Sequence, residues 1–187
     1  IMERLTQANL ALLDQLESLG VLEPAQTAVH CSHAYTDELP APGFDPAKPR
    51  AKDCWTFGMA QIFGSVSPEM HKEFEADYVR RIFERFGKVY YGCCEPLHDR
   101  IELVRTLPNV RKISISPWCD VDIAAEKIGR DFVASRKPSP AYLAPDSPDW
   151  DSVEAEVRHT LAACRRTGTP VEFILKDIST VRYQPQR

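Results

Sequence analysis

The stretch Lys88-Val89-Tyr90-Tyr91-Gly92-Cys93-Cys94-Glu95-Pro96-Leu97-His98 decides how this chain is read. It opens as a short apolar run and closes on two adjacent thiols, a carboxylate and an imidazole. A helical pattern that stops at Gly87 precedes it, and a second follows from about Pro96 to Leu107. A strand between two helices ordinarily runs parallel to its neighbours and is buried on both faces. Polar residues at its carboxyl end then stand where α/β folds build their sites. Cys93 to His98 is therefore read as one wall of an active site.

The pattern repeats on both sides. Upstream, Ser67-Pro68-Glu69 supplies a hydroxyl cap, a proline at the first helical position and an acid in the first turn. Met70, Phe74, Tyr78, Ile82 and Phe86 then recur every four residues, which predicts Phe74, Ile82 and Phe86 buried against the sheet. Trp55 to Val66 contains a buried strand. Pro40 to Asp53 holds four prolines and a glycine, a long loop read as a cover for the site. Thr27 to Cys31 reads as a strand, and residues 3–18, with Leu5, Leu12, Leu13 and Leu16, as an amphipathic helix stopped by Gly20.

Downstream, Val110–Ser116, Asp131–Ala134 and Val171–Leu175 read as strands, and about 121–128 and 152–166 as helices. The strands end in Ser116-Pro117-Trp118-Cys119-Asp120, Ser135-Arg136-Lys137-Pro138 and Lys176-Asp177. The expected fold class is α/β, a parallel sheet either open or closed into a barrel. Five or six strands fall short of the eight that a closed barrel needs.

Composition narrows the function. The chain has 187 residues, 43% hydrophobic and 27% charged, in the range of one globular domain with a real core. A net charge of −4 argues against nucleic acid as a partner, and no apolar run is long enough for a membrane span. Six cysteines lie at irregular spacings with no CxxC pair, so neither a disulfide scaffold nor a zinc knuckle is indicated. This points to a reducing cytoplasm.

The clusters carry alternatives. Cys93, Cys94, Glu95 and His98 offer donors suited to zinc. The competing reading packs one cysteine in the core and leaves Glu95 to start a helix. Adjacent cysteines on a regular strand face opposite ways, so only one is expected to look into the site. His30, Cys31 and His33 form a second ligand set, which requires a turn because His30 and His33 do not share a face of a regular strand; a surface histidine pair is the alternative. Arg136, Lys137 and Lys176 read as a cationic patch for carboxylates or phosphates. Asp120 and Asp177 read as general bases or orienting groups.

Several stretches together resemble the uroporphyrinogen decarboxylase-like superfamily. They are Phe57-Gly58-Met59-Ala60-Gln61-Ile62-Phe63, Ser65-Val66-Ser67-Pro68-Glu69-Met70 and Tyr91-Gly92-Cys93-Cys94-Glu95-Pro96-Leu97-His98. Ser114-Ile115-Ser116-Pro117-Trp118, Ser135-Arg136-Lys137-Pro138 and Lys176-Asp177-Ile178-Ser179-Thr180 complete the set, so the resemblance runs from about Tyr35 onward. It is closest to the corrinoid-linked methyltransferase branch. The resemblance implies a (β/α)8 TIM barrel with its site at the carboxyl ends of the strands, of which this chain is the carboxyl-terminal half. It implies catalytic roles for Cys93, Glu95, His98 and Asp177, and substrate binding by Gln61, Trp118, Arg136, Lys137 and Lys176. A corrinoid (cobalamin) is the implied methyl carrier, alone or on a corrinoid protein, with a small-molecule substrate.

Two departures from the family pattern bear on the chemistry. Zinc-dependent members carry His-x-Cys where this chain has Tyr91-Gly92-Cys93, and a cysteine where it has Lys176-Asp177. Zinc on Cys93 then implies a different ligand set, with Glu95 or His98. The decarboxylases' Gly-Asn-x-Asp-Pro stretch and last-strand histidine are also absent. Methyl transfer is the first functional expectation. Decarboxylation of a tetrapyrrole carboxylate and a non-catalytic binding role are the alternatives. A half-barrel is further expected to self-associate or to need its other half, with Thr27–Cys31 and Val171–Leu175 near its open edges.

Overall fold

Polar side chains cap three of the helical segments. In the computed structural model, which describes residues 1–176 and residue 186, Ser67 accepts the Met70 amide at the head of a helical segment. The Asp120 carboxylate takes the amides of Asp122 and Ile123, and Asp149 takes that of Ser152. Asp177 lies outside the described residues, as do Ile178–Thr180.

The chain opens with α1 (Met2–Leu19) and a two-stranded antiparallel hairpin, β1 (Ala28–Val29) and β2 (Ser32–His33). Strand β3 (Trp55–Gly58) follows, then α2 (Pro68–His71), a π-helical turn (Lys72–Ala76) and α3 (Asp77–Phe83). Strand β4 (Lys88–Tyr91), α4 (Ile101–Arg105), β5 (Val110–Ile115), α5 (Val121–Ile128), β6 (Val133–Arg136), α6 (Trp150–Thr167) and β7 (Val171–Phe173) complete the order.

Strands β3 to β7 form one parallel sheet in chain order. Right-handed crossovers without a reversal of strand order put the helices that connect these strands on the same face. That face is the apolar core, where Val89, Tyr91, Ile113, Ile115 and Ala134 meet Phe83, Val104, Ala124, Ile128 and Ala163. Alternation along each strand sends the other residues to the opposite face. There stand Trp55 and Tyr90 against Val29 and Ala34, beside a buried Lys112–Glu172 ion pair at 2.9 Å. The sheet is an open five-stranded α/β sheet among the described residues, and closure into a barrel is not seen.

Four expectations need correction. Thr27–Cys31 is not a sheet-edge strand: it turns back on itself as the β1–β2 hairpin, and the edges are β3 and β7. The Pro40–Asp53 loop does not cover the strands' carboxyl ends. Its buried Asp53 carboxylate binds Arg50 and the Ala41 amide, and it abuts Gly87 just before β4, at the amino end of the sheet. In the helical segment Phe83 is buried, whereas Phe74 is 37% exposed and Ile82 and Phe86 are only half-buried. His71, Glu75 and Ala76 face inward instead, and the residue inserted by the π-helical turn carries the next buried position on to Phe83. Helix α4 starts at Ile101, five residues later than expected, and Arg100 at its head binds the carbonyls of Phe63 and Val66. No described helix is long and apolar enough to cross a membrane.

Candidate functional site

Gly92 ends β4 with a φ of 98°, a left-handed conformation that favours glycine. A Cβ there would stand 2.5 Å from Leu97 Cδ1 and 3.0 Å from Ser114 Cβ, so the position also demands the missing side chain. The break in the strand cancels the expected alternation. Cys93 and Cys94 both face one cleft, with their Sγ atoms 3.5 Å apart. Lys176, beyond β7, reaches Cys94 Sγ at 3.0 Å and Cys93 Sγ at 3.4 Å. All six cysteines are free thiols.

The cleft has a volume of about 170 Å³, and Ser116, Trp118, Lys137 and Ser139 complete its charged and polar lining. Gln61, Cys93, Ser116, Lys137 and Lys176 all follow the carboxyl ends of parallel strands, as expected. A larger groove of about 830 Å³ opens near the amino end of β3, lined by Tyr35, Leu39, Phe44 and Trp55. It gathers no thiols or lysines, so the smaller cleft is the candidate site.

The hairpin supplies the part that sequence reasoning assembled wrongly. His30 takes a φ of 49° at the hairpin turn and stacks on Phe57, ring centroids 4.7 Å apart. This lays the turn on the polar face of the sheet. One donor atom each from His30, Cys31 and Cys93 then lie within 4.8 Å of one another. His33, expected in the same set as His30, stacks on Tyr35 instead. Tyr90, not singled out from the sequence, joins the two halves: its hydroxyl lies 3.2 Å from Cys31 Sγ and accepts from Lys137 Nζ at 2.5 Å. The one available signal for Tyr90 was its place in the strand, out of phase with Val89 and Tyr91.

The remaining candidates separate. Glu95 is buried and spends its carboxylate on the Ala60 and Cys93 amides at 3.0 and 2.9 Å, shaping the loop rather than facing the thiols. His98 Nδ1 accepts the Asp120 amide at the head of α5, and neither residue joins Cys93. Arg136 points to the helix layer, paired with Glu156 at 2.6 Å and donating to the Ser116 carbonyl. Trp118 is 76% exposed at the rim. Gln61 is exposed on the loop that Arg100 holds in place.

Burial and charge tune the cluster. Burial pushes the Cys93 thiol up to about 12; the hydrogen bond with Cys94 adds to this and Lys176 opposes it. Burial also works against the Lys176 charge, yet its contacts with Cys94 and Cys93 hold its pKa above the ordinary lysine value. Burial lowers the pKa of Lys137, and Lys176 adds to that shift. His30 is lowered by burial first and then by Lys176 and Lys137, which favours the neutral imidazole. The arrangement is a thiol-rich, cation-flanked cleft at the carboxyl ends of a parallel sheet. No protein-family model, curated protein or solved structure matches the chain.

Proposed function

We propose that the protein is a methyltransferase that acts on a small anionic substrate and exchanges the methyl group with a corrinoid carried by a separate protein. One observation carries the reading: two thiols and two lysines meet in a small cleft at the carboxyl ends of parallel strands. Lys176 meets the substrate's anionic group beside the sulfurs. Lys137, fixed by Tyr90 and by the Ser135 carbonyl at 3.3 Å, adds positive potential from below. A cleft of about 170 Å³ is smaller than the roughly 300–1,000 Å³ of pockets that enclose drug-sized ligands. A corrin ring therefore does not fit inside and must be presented at the open mouth, where Trp118 is exposed. The same volume disfavours the second reading, decarboxylation of a tetrapyrrole.

Sequential parallel strands with the connecting helices on one face are also the pattern of a (β/α)8 barrel, and β3 and β7 each have one strand neighbour among the described residues. On this basis we propose that the chain supplies part of such a barrel and that further strands, from a second copy or from more of the polypeptide, cover its edges. Six unpaired thiols fit the cytoplasm. The experiment is methyl transfer to cob(I)alamin, followed by its absorbance, with a broad panel of methyl donors. Transfer that fails with every donor overturns the reading. Transfer whose KM rises tenfold or more in Lys176→Met, with the fold intact, supports it.

A further inference from the structure

The β1–β2 hairpin lies on the polar face of the sheet with its turn beside Cys93. Its two turn residues are an imidazole and a thiol, and they approach the strand-end thiol of Cys93. We propose that His30, Cys31 and Cys93 are the three protein ligands of a zinc site, with a fourth position open to the cleft.

The donor set fits the ion. Zinc takes imidazole nitrogen and thiolate sulfur, and three protein ligands with one open position mark a catalytic site. Zinc–ligand bonds of about 2.0–2.3 Å in a tetrahedron place donors roughly 3.3–3.8 Å apart. The atoms here lie within 4.8 Å of one another, so closing on the ion takes about an ångström of side-chain movement. Two thiolates and a neutral imidazole balance the ion's two charges.

The groups around the ligands support the assignment. The Tyr90 hydroxyl lies 3.2 Å from Cys31 Sγ and Lys176 Nζ lies 3.4 Å from Cys93 Sγ, hydrogen-bonding groups of the kind that orient metal-bound sulfur. Stacking on Phe57 fixes the plane of the His30 ring. Cys94 sits beside Cys93, but its sulfur is not one of the donor atoms gathered within 4.8 Å of one another, and it is left out of the set. A bound zinc would keep Cys31 and Cys93 deprotonated and present a Lewis acid to a substrate heteroatom entering the cleft.

The test uses the full chain, purified under reduction, stripped with a chelator and titrated with zinc against a chromophoric competitor. One tight equivalent is expected. X-ray absorption at the zinc edge should give two sulfurs with nitrogen or oxygen completing four. Cobalt(II) substitution should give thiolate-to-metal charge transfer and the strong visible bands of a tetrahedral site. His30→Ala, Cys31→Ser and Cys93→Ser should each weaken zinc by more than the roughly 10–100-fold expected for Tyr90→Phe, which removes only a group bonded to a ligand. Cys164→Ser, remote in the helix layer, should leave the affinity unchanged.

One sulfur or three at the zinc edge overturns the proposal. So does zinc held as tightly by Cys31→Ser as by wild type, provided that circular dichroism shows the variant folded. If the variants do not fold, the wild-type edge spectrum decides alone. Zinc binding without methyl transfer would sink the functional reading and leave the site standing; methyl transfer by protein that takes up no zinc would do the reverse.

Discussion

The two faces of the sheet are built from the same five strands and have opposite characters. On the helix side, Val89, Tyr91, Ile113, Ile115 and Ala134 meet apolar side chains from the helices. Polar groups there pair among themselves: His71 reaches the Tyr91 hydroxyl at 2.8 Å, and that hydroxyl donates to Glu75 at 2.9 Å. On the hairpin side stand Tyr90, Lys112, Ser114, Ser135, Lys137 and Glu172, most of them fully or nearly buried. A buried lysine is stabilising only when it has partners. Lys112 has Glu172 at 2.9 Å and the His33 carbonyl at 2.6 Å. Lys137 has Tyr90 and Ser135. The helix side is therefore an apolar core, and the hairpin side holds charge in place beside the cleft.

The largest test of this contrast is Phe83→Ala. Phe83 is 1% exposed and packs edge-on against Tyr91. Its loss should cost about 3–5 kcal/mol in denaturant unfolding, with the thiol cluster unchanged in any molecules that remain folded. An equal loss of stability and of metal binding in that folded fraction would show that the faces are not independent.

Lys112→Met probes the opposite face. Removing one partner of a fully buried pair costs roughly 3–5 kcal/mol, but the Glu172 side chain keeps 20% exposure, so about 2 kcal/mol is expected. The double change Lys112→Met with Glu172→Leu should recover much of it, because the remaining charge is then gone. If the double variant is as unstable as the single one, the pair is not what the lysine contributes.

The same pair predicts acid sensitivity. Burial pushes Glu172 up, yet hydrogen bonds from Ser32, Lys112 and Ser135 bring it below the ordinary glutamate range. A carboxyl whose folded pKa is depressed stabilises the fold above its unfolded value, about 4.3. That contribution disappears as pH falls through the lower folded value. Stability measured from pH 7 to pH 3 should therefore drop below about 4.3, and Glu172→Gln should flatten the drop.

Tyr90→Phe is expected to cost about 1 kcal/mol, the net worth of a hydrogen bond, or somewhat more because Lys137 loses a partner. The smallest effect belongs to the rim. Trp118, 76% exposed, should change stability by less than about 0.5 kcal/mol when replaced by alanine. A KM that rises while stability holds would place Trp118 on the substrate's path; an unmoved KM would remove it from the site.

The sequence by itself determined whatever depends on near neighbours. Ser67-Pro68-Glu69 marked a helix start, the pattern over 121–128 matched α5, and the polar endings of Ser116, Lys137 and Lys176 located the end of the sheet that carries the thiol and lysine cleft. Only the tertiary structure decided which polar residues meet. Cys31 and Tyr90 touch across 59 residues of chain, through a turn at His30 that no periodicity announces. Glu95 was near enough to Cys93 in sequence to look like its partner, but the amides of Ala60 and Cys93 claim it. Arg136 and Lys137 were read as one patch, yet successive strand residues face opposite ways, so one bonds Glu156 and the other Tyr90. Period and capping are local properties of a chain. Partnership across a sheet is fixed by packing, which sets residues from distant segments within reach of one another.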